Sequence, residues 1–291
     1  MNMRALVMGV AFALMWSSAF TSARIIVADA PPLASLALRF AISGMIGVGF
    51  ARALGQSWHL SRAQWRSVLI FGLCQNAAYL GLYFVAMKSI EASLASIIAS
   101  TMPLLVAVLG WVVMRERLQP LAVIGLIVGF GGVAVIMGGR ISLGADPFGV
   151  ALCVIGALAL AIATLAVRGA KSQGNVLMIV GLQMFVGGAV LAAVSPFVED
   201  HAVALSWRLI GAFAYTVLIP GLAATWVWFS LVNLIGTVKA SAFHFLNPFF
   251  GVAVAALILG ERISAQDVIG VGIVMAGILA VQMSKQGPAP A

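Results

Sequence analysis

Few residues of this sequence could do chemistry, and those that could lie inside long apolar runs. His244 and Asn247 stand one helical turn apart beside Pro248, and Gln75 and Asn76 stand together in an earlier run. A polar side chain in apolar surroundings is costly unless it finds a hydrogen-bond partner or faces a cavity. Amide and imidazole groups donate and accept hydrogen bonds, and an imidazole also titrates near neutral pH. These residue types predict recognition of a small polar molecule.

The wider set of candidate residues shares an aromatic or hydrogen-bonding side chain and a position inside an apolar run. We predict a cavity lined by Trp16, Ser17, Arg39, Gln75, Asn76, Tyr79, Tyr83, Ser96, Ser100, His244 and Asn247. Asn76, Tyr79 and Tyr83 share one helix face at i, i+3 and i+7 spacing. Because a proline removes a helix hydrogen bond, we predict helix breaks or hinges at a second set of positions. These are Pro103, Pro220, Gly221 and Pro248.

Most of these residues also have a purely structural interpretation. Ser96 and Ser100 could bond the carbonyl four residues earlier, as serine often does in a membrane helix. Gln75 and Asn76 could each join two helices by a hydrogen bond, and His244 could hydrogen-bond to a neighbouring helix. Arg39 could extend toward water or hold a substrate carboxylate. The sequence leaves these alternatives open.

The elements that position these side chains must be membrane helices. Of 291 residues, 63% are hydrophobic and 8% are charged, whereas a soluble domain carries about a quarter charged residues. The apolar runs show no strand-like alternation and are long enough to cross about 30 Å of hydrocarbon at 1.5 Å per residue. We predict an all-α integral membrane protein with ten transmembrane helices. The predicted spans lie near 4–24, 33–51, 67–86, 92–113, 121–138, 148–167, 176–195, 208–230, 239–259 and 267–284.

Aromatic residues near the ends of these spans have two interpretations. Trp226, Trp228 and Tyr83 fall near span ends, where tryptophan and tyrosine commonly form an interfacial belt. A belt or a gate is therefore as consistent with their positions as a binding pocket. Trp16, by contrast, lies at mid-depth in the first span beside Ser17, which makes it the preferred aromatic candidate.

The basic residues predict the orientation of the chain. With the N-terminus in the cytoplasm, ten basic residues fall on the cytoplasmic side and six on the outer side or just inside it. The positive-inside rule therefore favours cytoplasmic N- and C-termini. The net charge of +8 is assigned to topology and not to nucleic-acid binding. Residues 285–291 are predicted to form a disordered cytoplasmic tail.

An internal repeat divides the chain into two halves. A shift of 145 residues aligns Tyr83–Leu118 with Trp228–Ile263 without a gap, and it pairs Pro103 with Pro248. It also pairs the Glu-Arg dipeptide at 116–117 with that at 261–262. Since five helices is an odd number, the two halves must cross the membrane in opposite directions, as inverted-repeat transporters do. We predict one five-helix repeat over 1–140 and a second, inverted one over 141–284.

The two halves differ at some candidate positions. His244 is paired with Ala99 and Asn247 with Met102, and the amides at 75–76 are paired with Pro220-Gly221. A substrate is itself asymmetric. We therefore expect the residues that break the symmetry to recognise it, and His244 and Asn247 are the sharpest candidates.

Short motifs in both halves resemble a known family. They are Met15-Trp16-Ser17-Ser18-Ala19-Phe20, Leu38-Arg39-Phe40 after Pro31-Pro32, Pro103…Glu116-Arg117-Leu118 and Pro248…Glu261-Arg262-Ile263. They resemble the EamA-type transporters of the drug/metabolite transporter superfamily, and most of all the bacterial aromatic amino-acid exporters of the YddG type. The resemblance implies two inverted five-helix bundles around a central cavity. It also implies a bacterial inner-membrane location and export of a metabolite by alternating access.

The expected function is export of amino acids, including aromatic and other bulky neutral ones. Drugs or other small metabolites of the same superfamily are the alternative cargo. A membrane-embedded enzyme is disfavoured, because the sequence has no HExxH, no CxxC and no carboxylate pair inside a span. A passive channel is disfavoured, because it needs a continuous polar pore and the polar residues here gather at mid-depth with apolar flanks. Without such carboxylates we expect facilitated transport, with His244 as the only obvious proton route. We expect neither a cofactor nor a metal. The expected partners are membrane lipid and a small-molecule substrate, and the expected oligomeric state is a monomer or a weak dimer.

Overall fold

A computed structural model describes residues 3–142, 144–167 and 174–284, apart from the side chains of residues 237 and 238. The predicted tail over 285–291 lies outside the described residues. Ten helices of the described chain are long and apolar enough to cross a membrane, and no strand occurs among its residues. This confirms the predicted all-α class and its ten spans. The helices are α1 (Met3–Asp29), α2 (Pro32–Ala53), α3 (Arg62–Ala86), α4 (Ala92–Met114), α5 (Pro120–Ser142), α6 (Pro147–Ala166), α7 (Val176–Val198), α8 (Trp207–Ile235), α9 (Lys239–Leu259) and α10 (Ala265–Ser284).

Two glutamates in loops hold the starts of two helices. The Glu199 carboxylate accepts the backbone N–H groups of Leu33 and Ala34 at 2.7 and 3.1 Å, at the start of α2. Glu261 accepts the N–H groups at positions 92 and 93 at 2.8 and 3.0 Å, at the start of α4. The first N–H groups of a helix have no partner within the helix and carry a partial positive charge. Each carboxylate therefore satisfies two donors that would otherwise lack a partner in lipid.

Asp146 plays a similar part before α6. Its carboxylate accepts the Ser89 hydroxyl at 2.6 Å and the backbone N–H groups of Phe148 and Gly149 at 3.1 Å each. The bond from Ser89, followed by those from the backbone, favours the charged carboxylate and lowers its pKa. Asp146 thus acts as a helix cap.

The helices group into two compact units. Unit 1 comprises Met1–Thr21, Ser89–Val150 and Ile219–Ala291, and unit 2 comprises Ser22–Lys88 and Ala151–Leu218. Each unit takes helices from both predicted repeats, so the units do not coincide with the divisions 1–140 and 141–284. Within unit 1, α5 packs on α10 and α4 on α9, and within unit 2, α2 packs on α7. Every one of these pairs joins helices that the 145-residue shift relates. The inverted repeat itself stays a prediction.

Glycines bring α5 and α10 of unit 1 into close contact. A Cβ atom on Gly277 would lie 2.4 Å from the Cα atom of Gly129, and one on Gly132 would lie 2.8 Å from the backbone nitrogen of Val274. Between lipid-exposed helices there is no hydrophobic drive, so van der Waals contact at small residues holds them together. These glycines therefore serve close packing of the two helices.

Replacing Gly277 by Ala should destabilise the protein, because the added methyl group meets backbone that cannot move aside. We expect a loss of about 1–3 kcal/mol, the usual cost of overpacking. Thermal unfolding of the detergent-solubilised protein, followed by tryptophan fluorescence, measures it. Gly272→Ala, on the same helix, is the matched control, since a Cβ at Gly272 would have no neighbouring atom within 4 Å. Equal unfolding midpoints for the two variants would contradict the proposed close packing.

Four helices depart from α-helical geometry at positions that the 145-residue shift relates. In α3 the segment Gly72–Leu80 is π-helical, and in α8 the segment Val217–Ala223 is π-helical. Helix α4 is interrupted at Thr101, and α9 contains a 3₁₀ turn over Phe243–Leu246. Such irregular turns in helices frequently mark functional positions.

The predicted helix-break positions behave in two ways. Pro103 and Pro248 lie in the first turn of the second segment of α4 and of α9, where a missing N–H costs nothing. The Asn247 N–H bonds the His244 carbonyl, the group that Pro248 leaves without its usual donor. At Pro220 and Gly221 the helix widens into a π-helix and does not end, contrary to the expected break. The π-turn leaves one peptide out of the hydrogen-bond ladder, so it accommodates a residue without N–H.

Candidate functional site

An aromatic cluster forms in unit 1 from Phe12, Trp16, Trp228 and His244. The Phe12 ring is buried at its centre, with ring centroids 4.8 Å from Trp228 and 5.7 Å from Trp16. The His244 ring meets Phe12 edge-on at 5.3 Å and lies 5.2 Å from Trp228. Trp16, Trp228 and His244 are each half-buried. Part of the aromatic surface of the cluster therefore remains accessible after its rings have packed against one another.

The aromatic cluster depends on a close approach of α1 to α9. A Cβ atom on Gly9 would lie 2.3 Å from ring carbons of Phe243, so only glycine fits at that point of α1. Trp228 of α8 packs nearby against the buried group that contains Phe243 and Leu231. This packing positions α1, α8 and α9 so that their aromatic side chains meet.

A polar group adjoins the aromatic cluster on α9. The Asn247 Nδ2 atom lies 3.0 Å from Nδ1 of His244, and the Ser17 hydroxyl donates to the Asn247 carbonyl at 3.2 Å. In a 3₁₀ turn, residues three apart eclipse each other, which explains why positions 244 and 247 meet. Asn247 Oδ1 is buried and has no hydrogen-bond partner among the described residues. A buried acceptor without a partner is costly, so this oxygen is a natural place for a ligand donor.

The cluster contains positions at which the two predicted repeats differ. Trp228 is paired with another aromatic residue, Tyr83, under the 145-residue shift. The remaining members are paired with smaller or apolar side chains. The pairs are Phe12 with Ala157, Trp16 with Ala161, His244 with Ala99 and Asn247 with Met102.

Two members of the cluster were absent from the predicted cavity. Phe12 lies one turn before Trp16 on the same face of α1, and this i, i+4 spacing was a signal that could have found it. Trp228 was left open among belt, gate and pocket, and the structure packs it against Phe12 and His244. Of the predicted cavity residues, Trp16, Ser17, His244 and Asn247 are brought together here.

The two serines of α4 follow different patterns. The Ser100 hydroxyl donates to the Ser96 carbonyl at 2.7 Å. This is the bond to the carbonyl four residues earlier that a serine in a membrane helix often makes. The Ser96 hydroxyl is buried without a hydrogen-bond partner in the described chain. It packs against Gly251 of α9, where a Cβ would lie 1.8 Å from it. Neither serine is joined to the aromatic cluster by a hydrogen bond between described residues.

Unit 2 carries the other predicted cavity residues. Asn76 is buried and its Nδ2 donates to the Gln183 carbonyl of α7 at 2.9 Å, so it joins two helices. Tyr79 and Tyr83 are buried with ring centroids 4.6 Å apart. Gln75 is half-buried beside them in the sequence. A role of these residues in binding stays a prediction.

Arg39 of α2 is a charge buried inside unit 2. It is 8% exposed, so it does not extend to the protein surface. Its guanidinium carbon lies 5.5 Å from the Phe40 ring centroid. Among the described residues, Arg39 Nε has no hydrogen-bond partner and no carboxylate forms an ion pair with this side chain.

A network of charged residues in unit 1 was not predicted from the sequence. Arg140, in the last turn of α5, donates from Nε to Asp267 of α10 at 2.9 Å and from Nη2 to Ser93 of α4 at 3.3 Å. Its Nη1 atom also contacts the Glu91 carboxylate. Asp267 in turn accepts the Ser264 N–H and hydroxyl, both at 2.8 Å. The network ties together the ends of three helices.

Within the described ranges, no group of three or more His, Cys, Asp or Glu is arranged to hold a metal ion.

The fold and these buried polar groups define a multi-pass helical membrane protein. The sequence profile of the EamA-like transporter family matches residues 3–138 and again residues 147–283, one match on each predicted half. The chain belongs to the EamA-like transporter family, and it is therefore a membrane transporter.

Relatives cover nearly the whole chain. The uncharacterized transporter YvbV of Bacillus subtilis is 27% identical over 94% of this chain and 90% of its own length. The uncharacterized inner membrane transporter YedA of Escherichia coli is 25% identical over 95% of this chain and 90% of its own length. A solved crystal structure has the same fold, with a TM-score of 0.68 at 20% identity over 98% of this chain and 99% of the other. None of these names a substrate.

Proposed function

We propose that this transporter exports amino acids, aromatic and other bulky neutral ones included, from the cytoplasm. The aromatic cluster with its adjoining amide and imidazole, all in unit 1, is the observation that carries the proposal. Aromatic faces bind apolar side chains of a substrate, and a few placed polar groups fix its orientation. The motif resemblance to aromatic amino-acid exporters supports the same substrate class.

Each polar atom of the site has a distinct role in this proposal. Asn247 Oδ1, which has no hydrogen-bond partner among the described residues, accepts a hydrogen bond from the substrate ammonium. His244 uses Nδ1 on Asn247, so Nε2 is the ring nitrogen that meets the substrate. Trp16 and Trp228 form the wall against which an aromatic or bulky side chain packs.

The proposed mechanism is alternating access by two inverted repeats. The interruptions of α4 and α9 at Pro103 and Pro248 act as hinges, and the π-helical segment at Pro220 and Gly221 adds a third flexible point. The protein resides in the bacterial inner membrane with both termini in the cytoplasm. The described spans carry carboxylates only at helix ends, such as Asp29 and Asp267. We therefore propose that the substrate moves down its own gradient without proton coupling.

Counterflow in liposomes tests the substrate class. Purified protein is reconstituted with unlabelled amino acid inside, and the uptake of labelled Phe, Trp, Thr and Met is measured. We expect saturable uptake, fastest for the aromatic and bulky substrates. Saturation distinguishes a carrier from a channel. If none of the four amino acids is taken up while another small metabolite is, the alternative cargo of the superfamily replaces this proposal.

The same liposomes test the energy source. An imposed pH gradient without a substrate gradient should drive no net uptake if transport is facilitated. Net uptake that follows the pH gradient would contradict facilitated transport. His244→Gln, which keeps a hydrogen-bonding side chain but cannot titrate, would then show whether the imidazole carries the proton.

A further inference from the structure

The end of α2, the loop after it and the start of α3 expose a basic and aromatic surface in unit 2. Its members share an exposed side chain that is either positively charged or apolar. They are Arg52, Leu54, Trp58, Arg62, Trp65 and Arg66, and we call this set the basic surface of unit 2. Leu54 is 67% exposed, Trp58 45% and Trp65 41%. The surface therefore combines positive charge with apolar area that the described chain leaves uncovered.

The loop that carries this surface is anchored to the start of α7. The Ser57 N–H donates to Asn175 Oδ1 at 3.0 Å, and Gln56 Oε1 accepts the Met178 N–H at 3.0 Å. Leu60 packs against the buried group that contains Met178. The fold therefore positions the exposed residues of this loop.

Two arginines occupy the start of α3 against the local preference of a helix. Arg62 is the first residue of this helix, and Arg66 lies one turn later. A helix N-terminus carries a partial positive charge and favours acidic side chains, and like charges at i and i+4 repel each other. The first turn of α3 contains no acidic residue. A bound anion would relieve both unfavourable interactions.

Arg52 adds a third positive charge, in the last turn of α2. Its guanidinium carbon lies 6.0 Å from the ring centroid of Trp58, which is about the limit of a cation–π contact. Guanidinium groups bind phosphate oxygens through paired N–H groups. The surface therefore offers phosphate-binding groups at the end of α2 as well as at the start of α3.

No acidic residue of unit 2 lies at this end of its helices. Its three acids are Asp29, Glu199 and Asp200. Glu199 caps the start of α2, which is the opposite end of that helix from Arg52. The ion pairs found among the described residues include none of the three arginines. The positive charge of this surface is therefore left for a partner outside unit 2.

The position of these helix ends indicates what kind of molecule covers them. Helices α2 and α3 are long and apolar enough to cross a membrane, so their ends lie where hydrocarbon meets water. The orientation of a membrane protein requires only that a loop carries enough arginines. It requires neither exposed apolar side chains beside them nor a loop anchored to α7. An anionic phospholipid supplies both an anion for the arginines and an apolar part for the uncovered side chains.

We propose that the basic surface of unit 2 binds the phosphodiester head group of an anionic phospholipid. Arg62 and Arg66 contact the phosphate oxygens, and the acyl chains lie against exposed apolar side chains of α2 and α3. The bound lipid stabilises the junction of these two helices with α7. This proposal goes beyond the proposed function, since it does not depend on which solute is transported.

Thermal unfolding in detergent micelles that contain phosphatidylglycerol tests this surface. Phosphatidylcholine with the same acyl chains is the comparison lipid, because its head group has no net charge. We expect phosphatidylglycerol to raise the unfolding midpoint of the wild-type protein and phosphatidylcholine to leave it nearly unchanged. Replacing Arg62 and Arg66 together by Gln should raise the phosphatidylglycerol fraction that gives half the shift about thirtyfold. Each arginine near an anionic lipid surface contributes about fivefold in affinity.

The control variant removes the same charge from exposed arginines elsewhere. It carries Arg208→Gln together with Arg262→Gln, and both arginines are exposed. Arg208 also follows an exposed tryptophan, Trp207, so it resembles the arginines of the basic surface in its local sequence. We expect this variant to respond to phosphatidylglycerol as the wild type does.

Four outcomes would overturn the proposal. They are no rise of the wild-type midpoint with phosphatidylglycerol, an equal rise with phosphatidylcholine, a wild-type response of the Arg62→Gln, Arg66→Gln variant, and an equal loss of response in the control variant. An equal rise with glycerol 3-phosphate, which has no acyl chains, would replace the lipid by a soluble phosphate ligand and also overturn it. None of these measurements requires transport, so the proposal can fail or hold independently of the proposed function.

Discussion

Replacing Arg140 by Gln is expected to destabilise the protein more than any other single change to a charged residue of unit 1. The substitution leaves Asp267, whose side chain is 2% exposed, without its ion-pair partner. Removing one member of a buried ion pair typically costs about 3–5 kcal/mol, because the other charge stays buried and uncompensated. The contact with Glu91 contributes less, since that side chain is 44% exposed and water screens it. Thermal unfolding in detergent measures the loss.

Two further variants make this prediction specific. Arg208→Gln is the control, because Arg208 is exposed and the same substitution there should have little effect. The double variant Arg140→Gln with Asp267→Asn removes both charges, so it should recover much of the lost stability. An unfolding midpoint for Arg140→Gln that equals that of Arg208→Gln would show that the network does not stabilise the helix ends.

Replacing Trp228 by Ala should reduce counterflow of Phe and Trp about tenfold at low substrate concentration, which corresponds to roughly 1.4 kcal/mol of lost aromatic contact. The ring lies 4.8 Å from Phe12 and 5.2 Å from His244, so its loss opens one side of the aromatic cluster. Threonine counterflow should be nearly unaffected, since threonine has no ring to place there. Trp16→Ala should show the same selectivity.

The chain offers a matched control for this experiment on the same helix. Trp226 is two residues away and 70% exposed, so Trp226→Ala should leave counterflow of every substrate unchanged. Trp228→Phe keeps an aromatic ring and should retain most activity. Equal losses for Phe and Thr would indicate a structural role of Trp228. Unchanged Phe transport in both Trp16→Ala and Trp228→Ala would remove the aromatic wall from the proposed function.

The irregular turns show how far local sequence determines geometry. Proline at 103 and 248 predicted interruptions, and both helices are interrupted beside these residues because a proline cannot donate to the preceding turn. Proline at 220 made the same prediction, yet the helix widens into a π-turn and continues. The same residue type permits both outcomes, and the packing of the surrounding helix selects one of them.

The sequence by itself determined the fold class and the number of spans. The physical reason is that lipid solvation constrains every stretch of about twenty residues locally, so length and hydropathy suffice. The same reasoning drew attention to His244, Asn247 and Trp16, because a polar or bulky group in an apolar helix stands out by its type alone.

Only the tertiary structure decided which groups meet. Phe12 is one apolar residue among many in the sequence, and it becomes the centre of the aromatic cluster because Gly9 lets α1 approach α9. Asn76 donates a hydrogen bond to the Gln183 carbonyl of α7. Arg140 forms an ion pair with Asp267, which is 127 positions away in the sequence. The Arg39 Nε atom and the Ser43 hydroxyl are buried without a hydrogen-bond partner among the described residues, and the sequence alone does not show this. Contacts between helices that are distant in sequence depend on how the helices pack. The periodicity of hydrophobic residues within one helix does not predict which residues of another helix it will contact.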